Sequence, residues 1–133
     1  ELDIPIRITE QYPKGLGHTI PEIAGLLDQQ PAEKVRFSCH GAANFDLPQW
    51  IVCGIETHVC VYQTVRDLLA EGKQVAVAVD AVSSCHVPDR EIGLAHMREL
   101  GAQLMSTQMI MFELLREAGT PEFKRVADIL KER

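Results

Sequence analysis

The chain has 133 residues, enough for one domain around one core, and its 46% apolar and 24% charged residues are the balance of an ordinary soluble globular protein. A net charge of −6 argues against a nucleic-acid partner gripped through its phosphates, which takes basic patches. No apolar run is long enough for a membrane helix and no signal-peptide pattern opens the chain, so no membrane partner is expected. The four cysteines do not demand a disulfide framework and fit no common zinc spacing, so we expect a cytoplasmic, reducing location.

In chain order, Ile4 to Thr9 alternates at period two and reads as a strand, with Pro5 near its start. The stretch from Glu10 to Thr19 is rich in Gly and Pro and reads as a loop leaving that strand, a place that often carries function. Ile20 to Leu27 holds a short helical turn. Val35 to Phe37 is a candidate short strand, and Ser38 to Pro48 is loop. Trp50 to Cys53 is a short apolar run stopped by Gly54, a buried strand. Val61 to Glu71 places Val61, Val65, Leu68 and Leu69 at helical spacing, and Gly72 ends it. Val75 to Val79 is almost continuously apolar, as suits a strand covered on both faces. Asp89 to Leu100, Gln108 to Ala118 and Pro121 to Lys131 read as helices, with a short strand at Ala102 to Met105. Strands alternating with helices imply a mostly parallel sheet in a three-layer α/β/α, Rossmann-like domain.

The chemistry concentrates where the Trp50 strand hands over to the next helix. Cys60 falls at or just before the first turn of that helix, where unpaired N–H groups and the macrodipole favour negative charge. A thiol there gives up its proton more readily, and the thiolate is the nucleophile. In open α/β sheets ligands bind beyond the carboxyl ends of the strands, which is where Cys60 lies. Glu56, Thr57 and His58 share the same turn and could form a ligand rim, although Glu56 could equally be a capping carboxylate. Lys34 reads as a surface lysine unless it approaches Cys60, where it would stabilise a thiolate and an anionic intermediate. Cys53, inside a strand, reads as core. Cys39–His40 and Cys85–His86 are similar pairs whose spacing matches no standard metal motif, so neither metal nor cofactor is expected. Asp80 ends a buried strand and reads more readily as a loop-bonding Asp than as an active-site acid.

From Gly54 to Cys60, Gly-Ile-Glu-Thr-His-Val-Cys, the chain resembles the isochorismatase-like cysteine hydrolase superfamily. The likeness continues through Val61 to Gly72, Val77 to Ser84, Thr9 to Gly17 and Lys34 to Ser38, the last two being most similar to the isochorismatase-domain-containing branch. The resemblance implies a catalytic triad of Asp, Lys and Cys, with the Cys at Cys60 and the Lys at Lys34. The Asp belongs to a first, central strand that maps onto no residue here. Residues 1–133 therefore read as a single domain of this type, incomplete at its N-terminus, with two rows of backbone groups left facing the empty place in the sheet. A second departure lies between Phe45 and Trp50, where the family usually has a helix.

The resemblance further implies hydrolysis of a small amide or related C–N bond through a thioester on Cys60. It implies backbone N–H groups of Glu56 and Cys60 around the oxyanion, and a cis peptide bond between Ile55 and Glu56. A small-molecule substrate, no cofactor and a homo-oligomeric assembly go with it. The loop from Tyr12 to Thr19 is the candidate lining, so Tyr12, Leu16, Thr57 and His58 are the expected substrate-facing residues. The alternative is a non-catalytic member that keeps the fold as an oligomeric scaffold.

Overall fold

A computed structural model describes residues 2–131. It contains β1 (Thr9–Gln11), α1 (Pro13–Leu16), α2 (Pro21–Ala24), β2 (Ala32–Lys34), β3 (Gln49–Ile55), a π-helical turn (Thr57–Val61), α3 (Tyr62–Ala70), β4 (Gln74–Ser83), α4 (Val87–Glu99), β5 (Gln103–Met105), α5 (Thr107–Leu115) and α6 (Pro121–Lys131). Every strand pairing is parallel. The three-layer α/β/α reading is thus correct, but the strands form two sheets, β1-β2 and β3-β4-β5.

The core follows from the pattern of β3 and β4. Trp50, Val75 and Val77 point to one face and pack against Val65 and Leu68 of α3 and Met97 of α4. Val65, Leu68, Val77 and Met97 are wholly shielded from water; each such side chain is worth about 1.5–3 kcal/mol of burial. Phe45 adds an edge-on ring contact to Trp50, with centroids 4.7 Å apart. Ala78 of β4 and Ile110 of α5 are buried outside that cluster, and α6 leans on α5 through Phe112 and Phe123.

Three expectations are corrected here. The alternating segment from Ile4 to Ile8 is not strand, which begins only at Thr9. Ile4 and Ile6 are exposed, and Pro5 has no N–H to offer a ladder. The second strand is Ala32–Lys34 rather than 35–37. The carbonyls of Arg36 and Phe37 turn inward to the Lys34 ammonium instead and are spent there. Cys53 is not core but exposed. Among the described residues β3 is covered on one face only, so Ile51, Cys53 and Ile55 form its open side, and the register with β4 slips between Val52 and Gly54. A buried apolar run and a half-covered strand with a bulge look alike in sequence.

Candidate active site

The turn that carries Cys60 is built by a sharp change of direction at the end of β3. Gly54 sits at φ 118°, a region open to glycine and costly for other residues. The Ile55–Glu56 peptide bond is cis, as the resemblance implied. The chain then enters one π-helical turn, in which the Val61 N–H donates to the Glu56 carbonyl at 3.2 Å, and Cys60 lies in that turn. Single π turns of this kind are frequent at functional sites.

Side chains tie this turn to the end of β4. The Thr57 hydroxyl donates to the Ser83 carbonyl at 2.9 Å, and Thr57 is fully buried. That position serves the turn rather than a ligand. The Glu56 carboxylate accepts the Cys85 N–H at 2.8 Å, and its other oxygen is 3.4 Å from the Cys85 sulfur. His58 places Nδ1 3.0 Å from the Ser84 hydroxyl, and its ring lies 3.9 Å from Glu56 and 3.8 Å from Asp89. Behind the turn runs α4. Gly93 comes so close that a Cβ there would meet the His58 Cα at 2.9 Å.

Lys34 is brought to Cys60. It is buried, 8% exposed, and not the surface lysine that residue type alone suggests. Its ammonium donates to Gln11 Oε1 at 2.5 Å, to the Arg36 carbonyl at 3.1 Å and to the Phe37 carbonyl at 2.7 Å. Gln11 Oε1 is in turn 3.9 Å from the Cys60 sulfur. Gln11 and Lys34 are register partners at the last positions of β1 and β2. Both therefore project from the carboxyl edge of a parallel pair, where ligands bind in this class of sheet. Residue order alone places Gln11 in a loop after Thr9; the pairing of β1 with β2 is what sets it beside Lys34.

The loop after β1 is anchored by Glu10. This buried carboxylate accepts the Thr19 N–H at 2.7 Å and lies 3.0 Å from His18 Nδ1. The Thr19 N–H, then His18, hold its carboxyl below the usual range. Tyr12 begins the loop in a left-handed conformation, with its N–H donating to the Lys34 carbonyl at 2.8 Å and its ring against Gly15. Tyr12 and Leu16 are exposed along this loop.

The remaining cysteines occupy separate settings. Cys39 places its sulfur 3.1 Å from the Thr9 hydroxyl. Its N–H donates to Thr64 Oγ1, which donates to the Cys60 carbonyl. The Glu56 carboxylate raises the Cys85 thiol and keeps it protonated. Desolvation by the surrounding protein raises Cys53, although part of that residue reaches solvent. Among the described residues no three His, Cys, Asp or Glu side chains gather as metal ligands would. Asp80 accepts from both the N–H and the hydroxyl of Thr107 at 2.7 Å, so it anchors the start of α5. No helix among the described residues is long and apolar enough to cross a membrane.

Residues 1–109 match the family described as Isochorismatase domain. The chain belongs to this family. Isochorismatase domain-containing protein 2A of Mus musculus is 43% identical over 137 residues, covering 98% of this chain and 66% of that protein. The chain thus spans just under two thirds of the length of that relative. A solved structure of MAR1 ribonuclease from Caenorhabditis elegans superposes with a TM-score of 0.82 at 38% identity, covering 94% of this chain and 68% of that one. The pyrazinamidase/nicotinamidase of Streptococcus mutans UA159 is more distant, with a TM-score of 0.52 and 25% identity over 55% of this chain and 45% of that one. This isochorismatase-like chain is therefore related to nicotinamidase hydrolases, and the segment from Gly54 to Cys60 lies inside the matched region.

Proposed function

We propose that the protein is a cysteine hydrolase that cleaves a small amide or related C–N bond. The observation that carries this reading is the convergence of Gln11 and the buried Lys34, at the ends of β1 and β2, with Cys60 in the turn after β3. The Cys60 thiolate attacks the carbonyl carbon and a C–S bond forms. The oxygen takes the negative charge, held by the backbone N–H groups of Glu56 and Cys60. The intermediate collapses, the C–N bond breaks, and the amine leaves with a proton. Water then cleaves the thioester, giving the acid and restoring the thiol. Lys34 acts through its fixed positive charge, since its three donors are already engaged. Neither an amide nor an ammonium can accept the thiol proton, so that role falls to the Asp the resemblance implies. Tyr12, Leu16 and His58 line the approach, the substrate is a small molecule, and the protein works as a cytoplasmic homo-oligomer without a cofactor.

The test is a panel of small amides, nicotinamide and pyrazinamide among them, with ammonia release as readout. Turnover that disappears in Cys60→Ala supports the reading; full activity in that variant overturns it. The C. elegans neighbour is named a ribonuclease, and RNA belongs in the same panel. The net charge of −6 weighs against phosphate-backbone binding here. No turnover on any member, with an inert Cys60, is the outcome expected of a scaffold.

A further inference from the structure

The Lys34 ammonium has three N–H donors, and three oxygens occupy them: Gln11 Oε1 at 2.5 Å, the Arg36 carbonyl at 3.1 Å and the Phe37 carbonyl at 2.7 Å. No donor is left for Cys60. Of these three acceptors, Gln11 Oε1 is the one that also faces Cys60, 3.9 Å from the sulfur. The Gln11 amide cannot turn freely, because its Nε2 donates to the Val35 carbonyl at 2.8 Å and so fixes which end faces the site. The thiol can donate to that oxygen; a thiolate cannot, and meets the negative end of the amide dipole. The lysine charge acts in the opposite direction and favours the thiolate. One oxygen of Gln11 therefore contacts both groups, and it opposes the lysine electrostatically.

We propose that Gln11 is a positioning residue that holds the Lys34 ammonium one amide away from Cys60 and thereby sets the reactivity of the nucleophile. The inference rests on the reading of Cys60 as nucleophile. The other titratable groups about the turn are Glu56, His58, Cys85 and Asp89 on the side of β4 and α4, and Cys39, reached through Thr64. No hydrogen bond of Gln11 runs to any of these; its partners are Lys34, the Val35 carbonyl and Cys60.

Two near-isosteric substitutions give opposite signs. Gln11→Glu puts a negative charge beside the sulfur and a stronger acceptor on the lysine. It should slow alkylation of Cys60 by iodoacetamide at neutral pH about tenfold or more. Gln11→Met removes the acceptor and frees one Lys34 donor to turn to the sulfur, so alkylation should quicken by about threefold or more. Both lose the bond to Val35 equally, so a merely structural role moves both variants in the same direction. Peptide mapping by mass spectrometry reads each cysteine separately, with Cys53 and Cys85 as internal references. In a Lys34→Met background the quickening by Gln11→Met should vanish.

Rates within twofold of the parent, or shifted the same way by both variants, overturn the proposal. If Gln11→Met does not fold, Gln11→Leu takes its place as the variant without an acceptor: faster alkylation there with slower alkylation in Gln11→Glu supports the proposal, and any other pair of signs overturns it. An inert Cys60 in the parent protein is a different failure, since it removes the hydrolase reading and this inference with it.

Discussion

Gly93→Ala sets two effects of known sign against each other. Gly93 lies inside α4, between Val87 and Glu99, where glycine is a poor choice. Replacing it with alanine in an unconstrained helix gains about 0.5–1 kcal/mol. Here the new methyl would sit 2.9 Å from the His58 Cα, 3.1 Å from its N and 3.2 Å from its Cβ. Two of these are backbone atoms, so no side-chain rotation relieves the clash. Either α4 or the π-helical turn must move, and forced overpacking of this kind costs about 1–3 kcal/mol. The clash exceeds the propensity gain, and the net result is a loss of about 1 kcal/mol. For a domain of this size that lowers the melting temperature by about 3–6 °C. Thermal unfolding followed by circular dichroism measures it. Because the displaced segment carries Cys60, its alkylation rate should fall together with the melting temperature. A variant that melts at or above the parent temperature, with Cys60 alkylating normally, would show that α4 does not brace the turn.

Lys34→Met should slow alkylation of Cys60. The 2.5 and 3.9 Å legs through Gln11 Oε1 place the ammonium within about 6.4 Å of the sulfur, close enough for its charge to favour an anionic sulfur. A loss of at least about fivefold at neutral pH is expected, and an unchanged rate would remove Lys34 from the site. Glu10 has its carboxyl lowered by Thr19 and His18, so its contribution to the loop is present above the ordinary carboxylate range and is lost as pH falls through the lowered value. Protection factors at residues 12–19, taken against the intrinsic exchange that itself slows with falling pH, should therefore drop on acidification. Glu10→Gln should produce the same loosening at neutral pH, and a loop equally protected in both forms would contradict it. Light scattering should give a mass that is a multiple of the 14.8 kDa chain, since Ile51 and Ile55 leave an apolar side of β3 open; a monomer would refute the assembly.

The sequence was most readable where one element contains its own reasons. Val65 and Leu68 at helical spacing, Gly72 behind them and the apolar run from Val75 needed no partner to be interpreted, and α3 and β4 appear there. The turn from Gly54 to Cys60 was legible because its residues are a specific signature. The exposure of Cys53 was not legible, because alternation says which residues share a face and not whether another layer covers it. The strand at 32–34 was misplaced by a few residues for a related reason. Val35 and Phe37 are apolar, yet both are exposed, and what ends β2 is a demand for carbonyl oxygens made by a lysine side chain.

That lysine explains why the site was only half visible. In a sequence Lys34 is a solvated charge by default, because burying an ammonium is costly unless polar atoms replace its water. The replacement here comes from three places: one strand end, through Gln11, and two carbonyls of the chain just beyond Lys34 itself. Two of those oxygens are backbone, which leaves no trace in residue identity, and the third is an amide 23 positions away. Once the parallel register of β1 and β2 is known, however, Gln11 and Lys34 must be neighbours. The burial of the charge, the early end of β2 and the separation of lysine from cysteine are then consequences of a single arrangement. An ammonium fixed by three oxygens at one strand end supplies a constant positive field beside the turn that carries Cys60.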